Sequence, residues 1–301
     1  MNASLFALAV MDGVSYAALL FLVALGLTLI FGVMNILNVA HGSLFAWGGY
    51  AAATMGIAIA KFGAPAWLAL PSLFVAAIIV GVLLGGILEI GLLRRILDKD
   101  PILQLLVTFA AFMVLEDLQR MIWGGQPYFV SDVVTQLGTI GVAGVTYTRY
   151  QLLVLPVVAL ACFFGLRWFL GRTALGRQIT AVTHHREVAT AMGVNASRVS
   201  LLTFVIGAAL GALGGALASP TTSFTPGTGA DMMVLSFAVV ATAGLGQIGG
   251  AAIAALLIGL ARAFAIYLFP EMEVLVPYLI MVAVLLVRPQ GMFSNVAARR
   301  I

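Results

Sequence analysis

Residues 67–93 read WLALPSLFVAAIIVGVLLGGILEIGLL. The run contains one charged side chain, Glu89, and exceeds the roughly 20 apolar residues that a helix needs to cross a bilayer. The stretch therefore predicts a membrane-spanning helix.

The composition of the whole chain extends this prediction. Of 301 residues, 62% are hydrophobic and 9% are charged, with a mean hydropathy of +1.13. Soluble domains are about half apolar and about a quarter charged, so no soluble core could bury this much apolar surface. Residues 1–301 are predicted to form a single all-α transmembrane bundle without a separate soluble domain. Residues 1–13 lack the Lys or Arg that opens a signal peptide, which predicts an uncleaved first span.

Apolar runs of suitable length predict eight to ten crossings. The first is long enough to be tilted or broken, and the seventh is short enough to be re-entrant. The predicted spans are 4–33, 42–60, 67–93, 101–123, 150–170, 199–218, 231–247, 249–269 and 273–288.

The basic residues predict the orientation. With nine spans, most of the 15 Lys and Arg fall on one side of the membrane, which the positive-inside rule identifies as the cytoplasm. The prediction is a multi-pass membrane protein with its N-terminus outside and its C-terminus in the cytoplasm. Since topology explains these charges, the net charge of +4 does not indicate nucleic-acid binding. The residues on this side are Arg94, Arg95, Lys99, Arg167, Arg172, Arg177, Arg186, Arg198, Arg288, Arg299 and Arg300.

Enzyme and metal signatures are missing from the sequence. It has no GxxxxGK[ST] loop, no HExxH and no GxSxG. His184 and His185 are adjacent, so on a helix they point in different directions and are poor joint ligands. Cys162 is the only cysteine and is interpreted as a packing residue. We expect no catalytic activity, no cofactor and no metal.

Residues 32–42, GVMNILNVAHG, join the first two spans. Asn35, Asn38 and His41 recur at every third position, so a helical turn would place them on one side. Polar side chains this close to hydrocarbon need partners. They either line the polar path near its cytoplasmic mouth or belong to a water-exposed turn, and the sequence favours neither.

Charged residues inside predicted spans are costly in lipid and therefore informative. Glu116 precedes Arg120 by four residues, which is a favourable helical pairing, whereas Asp117 has no obvious local partner. Arg262 lies in an apolar neighbourhood, and Glu89 could reach water. We expect these side chains to face the bundle interior or a wet cavity, and either to contact substrate or to pair across helices. Glu116 and Asp117 are candidate pathway residues.

Two glycine-rich stretches have alternative interpretations. Gly207, Gly211 and Gly215 form a small-xxx-small stripe, which serves either tight packing or motion. Residues 219–229, SPTTSFTPGTG, cannot form a regular helix. They predict either an outer gate or receptor-facing loop, or an ordinary exposed hairpin.

Residues 171–198 form the longest polar segment between two predicted spans. Within this loop a short helix is predicted to begin at Arg186 and Glu187 and to end at Gly193, a typical C-cap residue. The small residues Ala189 and Ala191 favour a compact docking surface for a partner protein. The alternative is an amphipathic helix on the bilayer surface.

Three segments resemble the H-type permease subunits of bacterial ABC importers for branched-chain amino acids. They are GLTLIFGVMNILNVAHGSLFAWGGY at 26–50, GRTALGRQITAVTHHREVATAMGV at 171–194 and VRPQGMF at 287–293. Gly49, where an Ala is usual, and Ser294, where a Gly is usual, are minor departures.

The resemblance implies a set of partners. They are two ATPase subunits, a second permease of the M-type, a periplasmic substrate-binding protein and the lipid bilayer, which would be the bacterial inner membrane. The coupling motif of the family would fall on Glu187, Ala189, Ala191 and Gly193, with Arg186 at the start of the same helix. The implied activity is ATP-driven import of branched-chain amino acids by alternating access.

Other transport classes remain open at this stage. Permeases for urea or short amides share much of the pattern. A secondary carrier that works alone on an ion gradient would place charges such as Asp117 and Arg262 within the membrane. A membrane-embedded enzyme is the weakest alternative, because no nucleophile, base and orienting group converge in the sequence.

Overall fold

A computed structural model describes residues 3–130, 132–142 and 144–293. It confirms the predicted all-α polytopic bundle, and Ser294, Arg299 and Arg300 lie outside the described residues. The helices are α1 Ala3–Met34, α2 His41–Lys61, α3 Ala69–Leu88, α4 Arg94–Ile96, α5 Pro101–Trp123, α6 Asp132–Leu137, α7 Leu155–Arg172, α8 Ala174–His184, α9 Arg186–Ala191, α10 Ala196–Ala218, α11 Thr228–Ala243, α12 Ile248–Leu268 and α13 Leu275–Val287. The strands are β1 Thr139–Val142 and β2 Val145–Thr148, and π-helical turns cover Glu89–Leu93 and Tyr150–Val154.

Seven helices within the described ranges are long and apolar enough to cross a membrane. Each coincides with a predicted span. The first, α1, is one unbroken helix of 32 residues, and at 1.5 Å per residue it is about 48 Å long. Because the hydrocarbon core is only about 30 Å thick, α1 has to tilt or extend beyond it.

The two remaining predicted spans are short apolar helices. The 231–247 prediction corresponds to α11, which has 16 residues, and the 273–288 prediction to α13, which has 13. At 1.5 Å per residue these helices are about 24 Å and 20 Å long. α11 ends early because Gly244 and Gly246 adopt φ values of 102° and 81°, outside the helical region.

The core of the bundle is built around α1 and α10. α1 packs against α10 and α12, while α10 also packs against α2 and α3. Leu20, Leu22 and Leu25 of α1 are fully buried.

Glycines allow these central helices to approach closely. Gly26, Gly207, Gly211 and Gly215, here called the glycine seam, lie where α1 and α2 meet α10. A Cβ atom on Gly26 would lie 2.3 Å from the carbonyl oxygen of Gly207, and one on Gly215 would lie 1.8 Å from that of Phe45. The seam therefore supports the packing interpretation of the stripe.

The two ends of the bundle differ in character. At one end, here called the basic end, Met34, Leu93, Ile179 and Ala189 join a single buried cluster. Arg94, α8 and α9 belong to this end.

The opposite end carries an antiparallel β1–β2 hairpin in which Thr139 faces Thr148. There the predicted irregular segment 219–229 is anchored rather than simply exposed, because Phe224 is fully buried and pairs with Tyr128 through two backbone hydrogen bonds of 2.9 Å. The irregular backbone ends at Gly227, since Thr228 and Gly229 begin α11.

Candidate coupling and pathway sites

The polar segment 171–198 folds into two helices that pack on the basic end. Thr173 caps α8 by accepting a hydrogen bond from the backbone N–H of Gly176 at 2.9 Å, and its backbone is extended. Ile179 and Val182 are buried on one side of α8. The segment is therefore held against the membrane helices.

The short helix predicted from Arg186 to Gly193 is present as α9. Gly193 follows it with φ 87°, and the N–H of Val194 returns to the carbonyl oxygen of Ala189 at 3.0 Å. A left-handed residue after a helix end is the usual C-terminal glycine arrangement. The chain leaves α9 in a tight turn and enters α10 after Asn195, whose side chain accepts a hydrogen bond from the Arg198 N–H.

The predicted coupling residues divide into two groups by exposure. Arg186, Glu187, Ala191 and Gly193 are exposed, whereas Ala189 is buried against the rest of the chain.

Two apolar residues that sequence reasoning missed share the exposed side of this helix. Val188 is 59% exposed and Met192 is 81% exposed. They are four positions apart, so they are neighbours on the helix surface. Their exposure could not be read from the sequence, because the same segment also holds the apolar residues Ile179 and Val182, which are buried.

The candidate residues near 35–41 do not lie on one helical face. α1 ends at Met34, residues 35–38 are irregular, and Asn35 adopts φ 55° and is exposed. Asn38 and His41 are buried. The spacing of three suggested a helical turn, but the left-handed residue breaks the helix before such a turn can form.

His41 sits within the glycine seam. Its Nε2 donates to the carbonyl oxygen of Val23 at 3.0 Å, and its Nδ1 has no hydrogen-bond partner in the described chain. A Cβ on Gly211 would lie 2.8 Å from the ring, so the glycine makes space for the imidazole. Asn38 also keeps a buried, unpartnered Nδ2, while its Oδ1 accepts from the Ala40 N–H.

Of the charged residues of α5, Asp117 and Arg120 lie on the outside of this chain rather than in its interior, while Glu116 is partly buried. Arg120 pairs with Glu116 at 2.8 Å, as predicted, and lies 4.0 Å from Asp117. The Asp117 side chain is 72% exposed. The inward positions of α5 are taken by Gln104, Thr108, Phe112, Leu115 and Gln119, whose spacing of three and four leaves Asp117 and Arg120 outside.

The other charges within spans are internal. Glu89 is 1% exposed and forms a salt bridge with Arg94 at 2.9 Å, so it does not reach water. Arg262 pairs with Glu273 and lies 4.1 Å above the ring of Tyr16.

Sequence reasoning missed Asp12, an acidic residue in α1 that could have been flagged by the same argument as Arg262. Its carboxylate accepts a hydrogen bond from the Tyr147 hydroxyl at 2.6 Å and a second from the Tyr267 hydroxyl. Burial, and then the bond to Asp12, raise the pKa of Tyr147 above its usual value of 10.0, so the phenol remains a donor.

Comparisons with known proteins place this arrangement in a family. Residues 9–285 match the family model described as "Branched-chain amino acid transport system / permease component". The chain is 27% identical over 290 residues to the permease protein LivH of the high-affinity branched-chain amino acid transport system of Escherichia coli, covering 94% of each chain. It is equally similar to the corresponding protein BraD of Pseudomonas aeruginosa.

A solved structure shares the fold at low sequence identity. "PsaBC from Streptococcus pneumoniae in complex with Fab" superposes with a TM-score of 0.50 at 14% identity, covering 93% of this chain and 91% of that chain. This likeness concerns the fold alone. On the strength of the family match over nearly its whole length, the chain belongs to the permease family of branched-chain amino acid ABC transport systems, as a multi-pass inner-membrane protein.

Proposed function

We propose that this chain is one of two permease subunits of an ATP-driven importer that carries branched-chain amino acids into the cytoplasm by alternating access. The family match over residues 9–285 carries the proposal. The relatives named LivH and BraD, each described as a branched-chain amino acid permease protein, support the substrate class. The second subunit is an M-type permease, two ATPases bind on the cytoplasmic side, and a periplasmic binding protein delivers the substrate.

The basic end of the bundle is the cytoplasmic end in this proposal, so the C-terminus is cytoplasmic. The positive-inside rule supports this orientation, since Arg94 and the arginines of α8 and α9 are at the same end. The hairpin end, with the anchored segment around Phe224, faces the periplasm and the binding protein.

The helix α9 transmits the motion of the ATPases to the membrane helices. Ala189 is buried and fixes α9 to the bundle, while Arg186, Glu187 and Ala191 present the exposed side to the ATPase. Val188 and Met192 supply exposed apolar area for the same contact, which water would otherwise cover. Gly193 allows the turn that connects this helix to α10.

The outer side of α5 lines the substrate path where this chain meets the second permease. Asp117 lies six residues before the end of α5 at Trp123, about 9 Å below the helix end. An exposed carboxylate at this depth is costly in lipid, and water or a protein partner removes that cost. Glu116, Asp117 and Arg120 together carry one net negative charge, which attracts the ammonium group of an amino acid.

Asn35, Asn38 and His41 form the inner part of the path in this proposal. Asn35 is exposed at the basic end already. Asn38 and His41 are buried, and they reach the path only when α2 separates from α10 during transport. Their unpartnered polar atoms, Nδ2 and Nδ1, then gain a partner in water or substrate.

The test is uptake of labelled L-leucine into proteoliposomes that contain this chain, the second permease and the ATPases, with the binding protein outside and ATP inside. We expect a Glu187→Ala, Gly193→Ala double variant to insert normally but to lose uptake and substrate-stimulated ATP hydrolysis. Its matched control is Glu271→Ala with Gly63→Ala, because Glu271 is also an exposed acid and Gly63 also has a positive φ with open space around it. The control is expected to transport like the wild type.

Normal substrate-stimulated ATPase activity in the Glu187, Gly193 variant would refute the coupling role. Leucine uptake by vesicles that lack the ATPase subunits would instead identify an ion-coupled carrier. Competition by urea or acetamide, with none by isoleucine or valine, would assign the chain to the amide permeases.

A further inference from the structure

A polar cavity of about 190 Å³ lies near the hairpin end, between α1, α12, β2 and the segment after α10. In liquid water one molecule occupies about 30 Å³, so the cavity can hold several waters or one small polar molecule. The coupling and pathway roles proposed above do not use it. Its polar side chains include Asp12, Ser15, Tyr147, Gln151, Thr222 and Arg262.

The acidic side of the cavity is rigidly held. Tyr147 on β2 and Tyr267 on α12 each donate to a different oxygen of Asp12 on α1. An aspartate carboxylate can accept hydrogen bonds on both of its oxygens. Both donors are neutral phenols, and the ion pairs formed within the described part of the chain do not include Asp12. Its negative charge is therefore oriented but not neutralised.

The basic side of the cavity has unused donors. Arg262 gives one hydrogen bond to Glu273 and stacks on Tyr16. A guanidinium group has five N–H donors and suits bidentate binding of a carboxylate. The ion pair with Glu273 thus leaves donors for a ligand.

The cavity also has an apolar wall, formed by Leu19, Leu155 and Ile266. Packing an aliphatic side chain of a ligand against these residues is favourable by roughly 25 cal/mol for each Å² of apolar surface removed from water. One cavity thus combines an unneutralised acid, an arginine with free donors and an aliphatic surface. Asp12 and Arg262 line it without pairing with each other.

We propose that this cavity is a binding site for a free aliphatic α-amino acid within a single permease chain, with the ammonium group on Asp12 and the carboxylate on Arg262. The aliphatic side chain packs on Leu19, Leu155 and Ile266. The site lies at the hairpin end, where substrate arrives from the binding protein, so this inference rests on the proposed function. The cavity would be a second substrate-binding site, separate from the outer side of α5.

The experiment measures equilibrium binding of labelled L-leucine to the complete transporter in nanodiscs, without binding protein and without nucleotide. N-acetyl-L-leucine lacks the ammonium group and L-leucinamide lacks the carboxylate, so they test the two ends separately. We expect saturable leucine binding by the wild type and weaker competition by both analogues. Asp12→Asn and Arg262→Gln should each weaken leucine binding about tenfold or more, because each removes a charged hydrogen-bond partner of the ligand.

Controls separate binding from a structural role. Glu271→Gln changes an exposed acid outside the cavity and should bind like the wild type. A purely structural effect of Arg262→Gln would weaken leucine and leucinamide equally, whereas loss of a carboxylate contact weakens only leucine.

Absence of saturable leucine binding to the wild type overturns the site, as does wild-type affinity in both Asp12→Asn and Arg262→Gln. These failures differ from failure of the proposed function. If the complete system takes up leucine with ATP but the transporter alone does not bind it, only the cavity assignment is wrong. If ATP-driven uptake of branched-chain amino acids is absent, the proposed function is wrong.

Discussion

In the glycine seam a methyl group added at Gly26, Gly207 or Gly215 would meet a backbone oxygen of a neighbouring helix, whereas the outer side of α5 is exposed in the described part of the chain. α5 is attached through side chains instead. Trp47 Nε1 donates to the Leu115 carbonyl oxygen at 3.1 Å, and Ser43 Oγ donates to that of Phe112 at 3.4 Å. The glycine seam therefore leaves no space for an added side-chain atom. The outer side of α5 instead offers an exposed surface to a molecule outside this chain.

The largest expected effect is the loss of stability when a side chain is added within the glycine seam. Gly215→Ala would put a Cβ 1.8 Å from the Phe45 carbonyl oxygen, and a backbone atom cannot move aside cheaply. Overpacking of a close-packed core typically costs about 1–3 kcal/mol, and we expect at least the upper end here. The measurement is the yield and thermal stability of monodisperse protein in detergent.

Gly86→Ala is the matched control for this substitution. Gly86 lies within α3, and a Cβ placed there would have no atom of another helix within 4 Å. Alanine also favours a helix over glycine by about 1 kcal/mol, so this variant should be at least as stable as the wild type. Equal stability of Gly215→Ala and Gly86→Ala would contradict the distinction between the two regions.

A second substitution asks what the outer side of α5 contacts. Asp117→Leu removes an exposed carboxylate without removing a buried contact. We expect unchanged stability in detergent but leucine uptake lowered about tenfold, equivalent to about 1.4 kcal/mol, because the proposed function puts this charge on the substrate path. Met121→Leu, at an 81% exposed position on the same helix, should leave uptake unchanged. If the Asp117→Leu variant takes up leucine like the wild type, the proposal that α5 lines the substrate path is wrong.

The smallest expected effect concerns the attachment of α5. Thr108 is fully buried, and its hydroxyl lies within hydrogen-bonding distance of the carbonyl oxygens of Leu105 at 3.0 Å and Leu37 at 3.4 Å. Thr108→Val keeps the shape of the side chain and should lower the free energy of unfolding by about 1 kcal/mol, the usual contribution of one hydrogen bond. Thermal unfolding measures the change, with the exposed Thr146→Val as the control. If Thr108→Val lowers the free energy of unfolding more than Gly215→Ala does, the attachment of α5 is more important for stability than the glycine seam, contrary to our expectation.

The candidate sites could be predicted from sequence to different degrees. The helix at Arg186–Ala191 was predictable because a polar segment with a terminal glycine has a local signature. The exposure of Asp117 was not predictable, because polar residues occur both on the inward side of α5, at Gln104 and Gln119, and on its outer side. The expected helical turn through Asn35, Asn38 and His41 is absent, because α1 ends at Met34 and Asn35 adopts a left-handed conformation.

The network around Asp12 shows the same limit. Asp12, Tyr147 and Tyr267 are far apart in the chain, and no spacing rule connects them. Only the packing of α1 against α12 and the hairpin brings the three side chains together. An acid within an apolar run could be noticed in the sequence, but its partners could not.

The sequence by itself determined that this chain is a bundle of membrane-spanning helices with a basic end and a short helix within its longest polar segment. Composition and run length are sufficient for this, because lipid accepts an apolar helix on every side. Only the tertiary structure decided which faces of these helices pack against one another. In a chain that is apolar almost throughout, hydrophobicity does not distinguish one face from another, and close backbone approach at a few glycines selects the neighbours.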